Sequence, residues 1–284
     1  MLSCLQARIC GIVTGLTLVL PSVPQPQQFA PHGLVRIENA LQTEIRLIVE
    51  DVYGPPMRRL PGLDIGRAYR GASDDFRYGG DMVDVFHYGN GWTSLAVVDI
   101  TGHGIRAAAN AGLVKHALRA YASSGLDARD SVRALNRLCI ESSTFEGDDE
   151  FFATVFFAIV PADRRTMQYV SAGHEAAYLI AGESARVLAA TGPLVGLMDA
   201  DGEFDHGVVP LRAGDIVAAV TDGFSESRSA NLEFLGSDAV VGVIQSDATR
   251  DAEQLAEALT WFAFDYAGGR LHDDVAALVL KSAP

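Results

Sequence analysis

The tripeptide Gly89-Asn90-Gly91 restricts the fold more than any other stretch, because it stands between two apolar runs, 85–88 and 92–98. Short Gly/Asn turns of this kind join the strands of a β-hairpin. In an antiparallel pair the start of the first strand lies beside the end of the second. Asp81 and Asp84 precede the first run and Asp99 closes the second, so the hairpin brings them together across fifteen or more positions. The C-terminal half repeats the arrangement, with Asp222 after the run 216–221 and Asp273 ahead of the run 275–280. If those two strands are antiparallel neighbours, Asp81, Asp99, Asp222 and Asp273 meet at one edge.

A chain of 284 residues with 49% hydrophobic content can bury a substantial core. Lys and Arg number 22 against 36 Asp and Glu, and the resulting net charge of −14 disfavours binding to nucleic acid. Cys4, Cys10 and Cys139 are too few and too scattered for a disulfide framework or a thiolate zinc site, which fits a reducing, cytoplasmic compartment. The apolar run 9–20 follows Arg8 and resembles the core of a signal segment, yet it is too short to span a bilayer. Export or membrane association through residues 1–20 is the lesser expectation, since one basic residue precedes the run and no small-x-small cleavage site follows it.

Residues 1–30 read as an apolar and proline-rich segment. Residues 31–56 read as an amphipathic linker helix, with Leu34, Ile37, Leu41, Ile45, Ile48 and Val52 spaced by three and four before Gly54-Pro55-Pro56 stops it. That apolar stripe needs a cover, either the rest of the chain or a second copy, so a homodimer through 34–53 is one expectation. Residues 57–284 form the main domain. Strands are expected at 64–69, 151–160, 167–172 and 176–180 besides those above, and helices at 105–123, 130–142 and 251–264. Hairpins interleaved with helix pairs give an α+β fold of antiparallel sheets flanked by helices, unlike the strand–helix alternation of a doubly wound fold.

Carboxylates without nearby Cys or a His cluster are hard oxygen ligands, and they favour Mg²⁺ or Mn²⁺ over Zn²⁺ or copper. Four acidic groups can hold two such ions. A pair of ions roughly 3.5–4 Å apart lowers the pKa of a shared water and clamps the oxygens of a phosphate during in-line attack. The sequence offers no Gly-x-Ser-x-Gly elbow and no cysteine in an activating motif, so a metal-activated water is the expected nucleophile. Each aspartate taken singly is adequately explained as a turn or cap residue. Four at matching strand ends are less easily explained that way.

Five ordered motifs carry a resemblance. Gly79-Gly80-Asp81-Met82-Val83-Asp84, Val98-Asp99-Ile100-Thr101-Gly102-His103-Gly104, Ser171-Ala172-Gly173-His174, Thr221-Asp222-Gly223-Phe224-Ser225-Glu226 and Asp273-Asp274-Val275 resemble the SpoIIE-like (RsbU-type) branch of the PPM metal-dependent serine/threonine protein phosphatases. Tyr78, Met82 and Ala276 depart from the usual pattern, at positions that are not ligands. The resemblance implies an α-β-β-α sandwich with a two-ion Mn²⁺ or Mg²⁺ centre at the edge of the sheets. It implies that Asp99 bridges both ions, that Asp81 and the Ile100 backbone carbonyl serve the second ion, and that Asp222 and Asp273 serve the first. Asp84 and Asp274 would be secondary ligands or acceptors for coordinated waters. The implied activity is hydrolysis of phosphoserine or phosphothreonine on a partner, a STAS-type anti-sigma-factor antagonist in bacterial partner switching.

Two other readings compete. Gly102-His103-Gly104-Ile105-Arg106-Ala107 satisfies the dinucleotide pattern G-x-G-x-x-A, which would suit a nucleotide-binding oxidoreductase, but no strand-terminal acid follows about twenty residues on. A phosphoprotein-binding pseudophosphatase or scaffold would keep the fold without turnover. His103 and His174 are read as turn histidines outside the catalytic set, and the acidic run 146–150 as an exposed loop lacking EF-hand spacing.

Overall fold

The computed structural model describes residues 60, 62–72, 80–89, 91–102, 105–146, 151–197 and 203–283. The expected N-terminal segment and linker helix, His103 and residues 147–150 lie outside them. Ten strands occur in the described residues: β1 (Leu63–Arg70), β2 (Met82–Tyr88), β3 (Trp92–Ile100), β4 (Ala153–Val160), β5 (Thr166–Ala172), β6 (Ala177–Ala181), β7 (Ser184–Leu188), β8 (Gly207–Pro210), β9 (Ile216–Val220) and β10 (Val275–Ser282). The helices are α1 (Ile105–Ser123), α2 (Ala128–Glu146), the single turn α3 (Asp222–Ser225), α4 (Ala239–Ser246) and α5 (Ala252–Tyr266). One five-stranded sheet has the order β1-β10-β9-β6-β7 and the other β2-β3-β4-β5-β8.

The two sheets face each other, and period-2 alternation sorts their side chains between layers. On β3, Leu95 and Val97 enter the core between the sheets, while Ala96, Val98 and Ile100 face α1 and α2. On β10, Ala276, Leu278 and Leu280 enter the same central core, while Val275, Ala277 and Val279 face α4 and α5. Both faces of these strands are therefore apolar, and each large aliphatic side chain fully buried contributes about 1.5–3 kcal/mol. The result is the expected α-β-β-α sandwich. Every pairing between the ten strands is antiparallel, and two consecutive helices follow β3, so the parallel unit that a dinucleotide site needs is not formed. The oxidoreductase reading falls with it.

The helix α5 shows how a layer is fixed. Asp251 caps it, accepting from the Gln254 N–H at 2.9 Å, while the Gln254 side chain accepts from the Asp251 N–H, a reciprocal capping box. The Asp64 carboxylate accepts from the Ala252 N–H at 3.0 Å, and a Cβ at Gly66 would stand 2.1 Å from the Ala252 carbonyl oxygen. Only glycine lets β1 lie this close to the start of α5. Besides the single turn α3, three elements were not anticipated. β7 is exposed along most of its length, β8 is a four-residue edge ending in Pro210, and α4 is rich in β-branched valine, so none carries a clear periodic signal.

Candidate metal centre

Strand register brings the aspartates together. Met82 pairs with Val98, so continuing the β2–β3 register one step sets Asp81 opposite Asp99, and a second step sets Gly80 opposite Ile100. A Cβ at Gly80 would stand 2.1 Å from the Ile100 carbonyl oxygen, a close approach that requires glycine and keeps that carbonyl beside the pair. On the other sheet Ala277 pairs with Val220, and the Thr221 N–H donates to the Ala276 carbonyl at 3.1 Å. The next residues of both chains are Asp222 and, running back along β10, Val275, Asp274 and Asp273. A Cβ at Gly223 would lie 1.9 Å from the Asp274 carbonyl oxygen, so the two loops touch backbone to backbone.

Asp81, Asp99, Asp222 and Asp273 stand within one another's electrostatic field. Burial, then the charges of Asp99, Asp274 and Asp273, hold the Asp81 carboxyl well above its usual range, while a hydrogen bond from the Thr221 side chain pulls it back. Burial and the charges of Asp273 and Asp274 raise Asp99, against a hydrogen bond with Asp81. Asp222 is pushed up to about 6 by burial, then by Asp99, Asp273 and Glu226. Asp273 is raised by burial, Asp274 and Glu226, although its carboxylate accepts from the Asp274 N–H at 2.7 Å. Four carboxyls resisting ionisation because they are buried and, beyond that, lie in one another's field is the electrostatic mark of a site completed by cations. Among the described residues no three such side chains already enclose a common point. The donor set is nonetheless all oxygen, three carboxylates of it crowd Asp99, and it suits Mn²⁺ or Mg²⁺.

Asp84 does not belong to this group. It lies three positions from Asp81, so the strand's alternation turns it to the α1 side of the sheet. There its two oxygens accept from Arg119 Nε and Nη2 at 2.7 and 2.6 Å. The Arg119 guanidinium also covers the Phe86 ring, 4.9 Å from its centroid. The expected role of Asp84 toward the metal is thus replaced by a bidentate ion pair whose carboxylate is buried and whose arginine is partly exposed. Asp274 does act on the cluster through its charge, but its oxygens accept from the Tyr69 hydroxyl and the Ala72 N–H, both at 2.8 Å. This fits an acceptor at the margin of the site better than a direct ligand.

His174 is buried, with Nδ1 2.8 Å from the Thr154 hydroxyl, and burial pushes it down to about 3, so it stays neutral. Two hydroxyls beside Asp222 are engaged with backbone: Ser225 donates to the Asp222 carbonyl at 3.1 Å and Ser227 to the Gly223 carbonyl at 2.7 Å. Cys139 is buried on α2, its thiol pushed up to about 12. Glu226 and Thr221 are participants that motif spacing did not single out.

The Stage II sporulation protein E (SpoIIE) family model matches residues 89–283. The chain belongs to the SpoIIE family. It is 24% identical over 263 residues to the phosphoserine phosphatase RsbU of Bacillus subtilis, covering 89% of this chain and 74% of RsbU. It is 24% identical over 200 residues to protein IcfG of Synechocystis, covering 62% of this chain but only 31% of IcfG. The RsbU and RsbW domains of Rv1364c from Mycobacterium tuberculosis superpose with a TM-score of 0.67 at 26% identity, over 78% of this chain and 60% of that one. The catalytic domain of the serine/threonine protein phosphatase PstP, solved with two manganese ions, shares the fold with a TM-score of 0.58 at 18% identity, over 78% of this chain and all of that one. This SpoIIE-family chain therefore carries the PPM phosphatase fold, and it spans about a third of IcfG and 60% of the mycobacterial polypeptide.

Proposed function

We propose that this chain hydrolyses phosphoserine or phosphothreonine on a regulatory partner protein, using two Mn²⁺ or Mg²⁺ ions. The observation that carries the reading is the meeting of Asp81 and Asp99 from one sheet with Asp222 and Asp273 from the other. Asp99 would serve both ions, because the strand register sets it opposite Asp81 and its charge acts on Asp222. Asp81 and the Ile100 carbonyl would complete one site, Asp222 and Asp273 the other. Bound there, the ions supply an activated water and neutralise charge on the phosphate oxygens.

The chain's own groups do the rest. Ligation requires these carboxyls deprotonated, so their raised pKa values couple metal binding to proton release. Glu226 and Asp274 add negative charge at the margin, strengthening the pull on cations. The neighbouring Ser225 and Ser227 hydroxyls are committed to backbone carbonyls, and the Cys139 thiol is protonated and buried, so none of these three competes with water as the attacking group. A chromogenic phosphomonoester assay with and without Mn²⁺ tests the reading: turnover that appears with the metal supports it, and none under any divalent ion favours the pseudophosphatase alternative.

The family and the likeness to RsbU support a partner of the STAS-type anti-sigma-factor antagonist class, within a cytoplasmic partner-switching circuit. Dephosphorylation of such a protein, followed on a phosphate-affinity gel, checks that assignment. Homodimerisation through residues 34–53 belongs to the same proposal. Leu41→Glu or Ile48→Glu should change the mass seen by light scattering; parental mass and parental response to a partner would show that stretch to be an inert lead-in.

A further inference from the structure

The outward face of α5 is apolar where a surface helix is normally polar. Leu255, Ala256, Leu259 and Ala263 are buried with the outer faces of β9 and β10, yet Trp261 and Phe262 on the other side are 50% and 44% exposed. With Ala258 they form one wall of a groove of about 960 Å³, whose other wall is α4, presenting Ala239, Gly242, Val243 and Ser246. A Cβ at Gly242 would meet nothing within 4 Å, so the space over it is open. From Gln254 to Asp265 the α5 wall runs about 17 Å at 1.5 Å per residue. The Ala239 end is tied to the metal centre by a short run of backbone. There the Ala239 N–H donates to the Gly236 carbonyl at 3.4 Å, the Gly236 N–H donates to the Ser225 carbonyl at 2.9 Å, and Ser225 ends the turn that Asp222 begins.

Charge and wall chemistry decide what fits. Asp247 holds the Arg250 guanidinium at 2.6 Å, and the exposed Glu257 and Asp265 leave the rim acidic. Both walls are helical and offer no strand edge, so an extended peptide gains no ladder of main-chain hydrogen bonds here, whereas a helix satisfies its own backbone and lays an apolar face into such a groove. The small side chains of α4 let a third helix come close. Resting on the phosphatase reading above, we infer that this groove docks the phosphoprotein substrate through one of its helices, apolar at spacings of three and four and flanked by Lys or Arg, while its phosphorylated residue reaches the metal centre.

The test compares kcat and KM of the full chain, with Mn²⁺, on two substrates: a phosphorylated STAS-type antagonist, and a chromogenic phosphomonoester too small to span from the metal centre to the groove. Parent, Gly242→Phe and the double variant Glu257→Lys with Asp265→Lys are measured. Filling the groove with Gly242→Phe should raise KM for the phosphoprotein about 10-fold or more, with its kcat near parental and both constants for the small ester within about twofold. Charge reversal should invert the salt response: KM for the phosphoprotein rises with salt in the parent and falls with salt in the variant. Parental phosphoprotein constants in a folded Gly242→Phe chain, or equal losses on both substrates, overturn the docking assignment and leave the phosphatase reading standing. A mass by light scattering that drops in Gly242→Phe, with phosphoprotein kinetics unchanged, places a second copy in the groove and overturns it likewise. Where Gly242→Phe does not fold, the salt response decides: inversion supports the inference and a parental response overturns it. A parent that hydrolyses the small ester but not the phosphoprotein overturns the partner class and this inference together, and a parent that hydrolyses neither overturns the phosphatase reading itself.

Discussion

Asp81 is 4% exposed and set opposite Asp99 by the strand register, whereas Asp273, on the opposite sheet, is exposed and its carboxylate accepts from the N–H of its own neighbour, Asp274. The β2–β3 half of the cluster is set by a tight hairpin and by the Gly80 contact with Ile100. The β9–β10 half opens toward solvent at His272 and Asp273. The contrast teaches that the dry half fixes geometry and the open half is where exchange with solvent, and approach of a substrate, is physically easiest. Burial makes the charges of the inner half costly unless cations balance them.

Breaking the inner half should have the largest effect. Asp99→Asn keeps shape and removes the charge that links both halves, so turnover and Mn²⁺ affinity should fall by more than the roughly 10–100-fold typical of groups that merely orient ligands. Kinetics on a chromogenic phosphomonoester and metal titration measure it, and activity within about tenfold of the parent with unchanged metal occupancy would show the assignment to be wrong.

The Asp84–Arg119 pair sharpens the comparison, because it is equally acidic and buried yet faces away from the cluster. Arg119→Ala leaves Asp84 without its bidentate partner and should cost about 3 kcal/mol of stability in denaturant unfolding, with metal affinity per folded molecule unchanged. A loss of Mn²⁺ affinity without a loss of stability would return Asp84 to the metal site.

The smallest expected effect distinguishes the open half. The carboxyl of Asp222 is raised from 3.8 to about 6 in the fold, so the native state holds a proton that the unfolded chain has released. Its contribution is favourable below about pH 4 and is lost as pH rises through about 6. In metal-free protein, Asp222→Asn should therefore raise the melting temperature relative to the parent, by nothing below pH 4 and by its full amount above pH 6. Thermal scans across that window check the sign, and a difference that shrinks as pH rises would contradict it.

Much of this was legible in the chain. Gly89-Asn90-Gly91 between alternating apolar runs specified the β2–β3 hairpin, and aspartates at the ends of two further runs specified the β9–β10 neighbourhood, because antiparallel pairing leaves little choice about which ends meet. Asp84 was misplaced for a reason equally visible in the sequence. Three positions along a strand reverse the face, and the hairpin argument that set both Asp81 and Asp84 beside Asp99 took no account of it. Thr221 and Arg119 could not be read, since each acts across elements distant in sequence through side-chain geometry. The edge strands β7 and β8 and the valine-rich α4 lack the periodicity that burial on one face imposes.

The central claim is that four carboxylates from two sheets make one two-ion hydrolytic site, and the most direct measurement counts ions and turnovers together. Chelator-treated protein is titrated with Mn²⁺ while bound metal and phosphomonoester hydrolysis are followed in the same sample. The account predicts no turnover in chelator, two ions bound per chain, and activity that rises as the second is taken up. Undiminished hydrolysis in the presence of EDTA would contradict it.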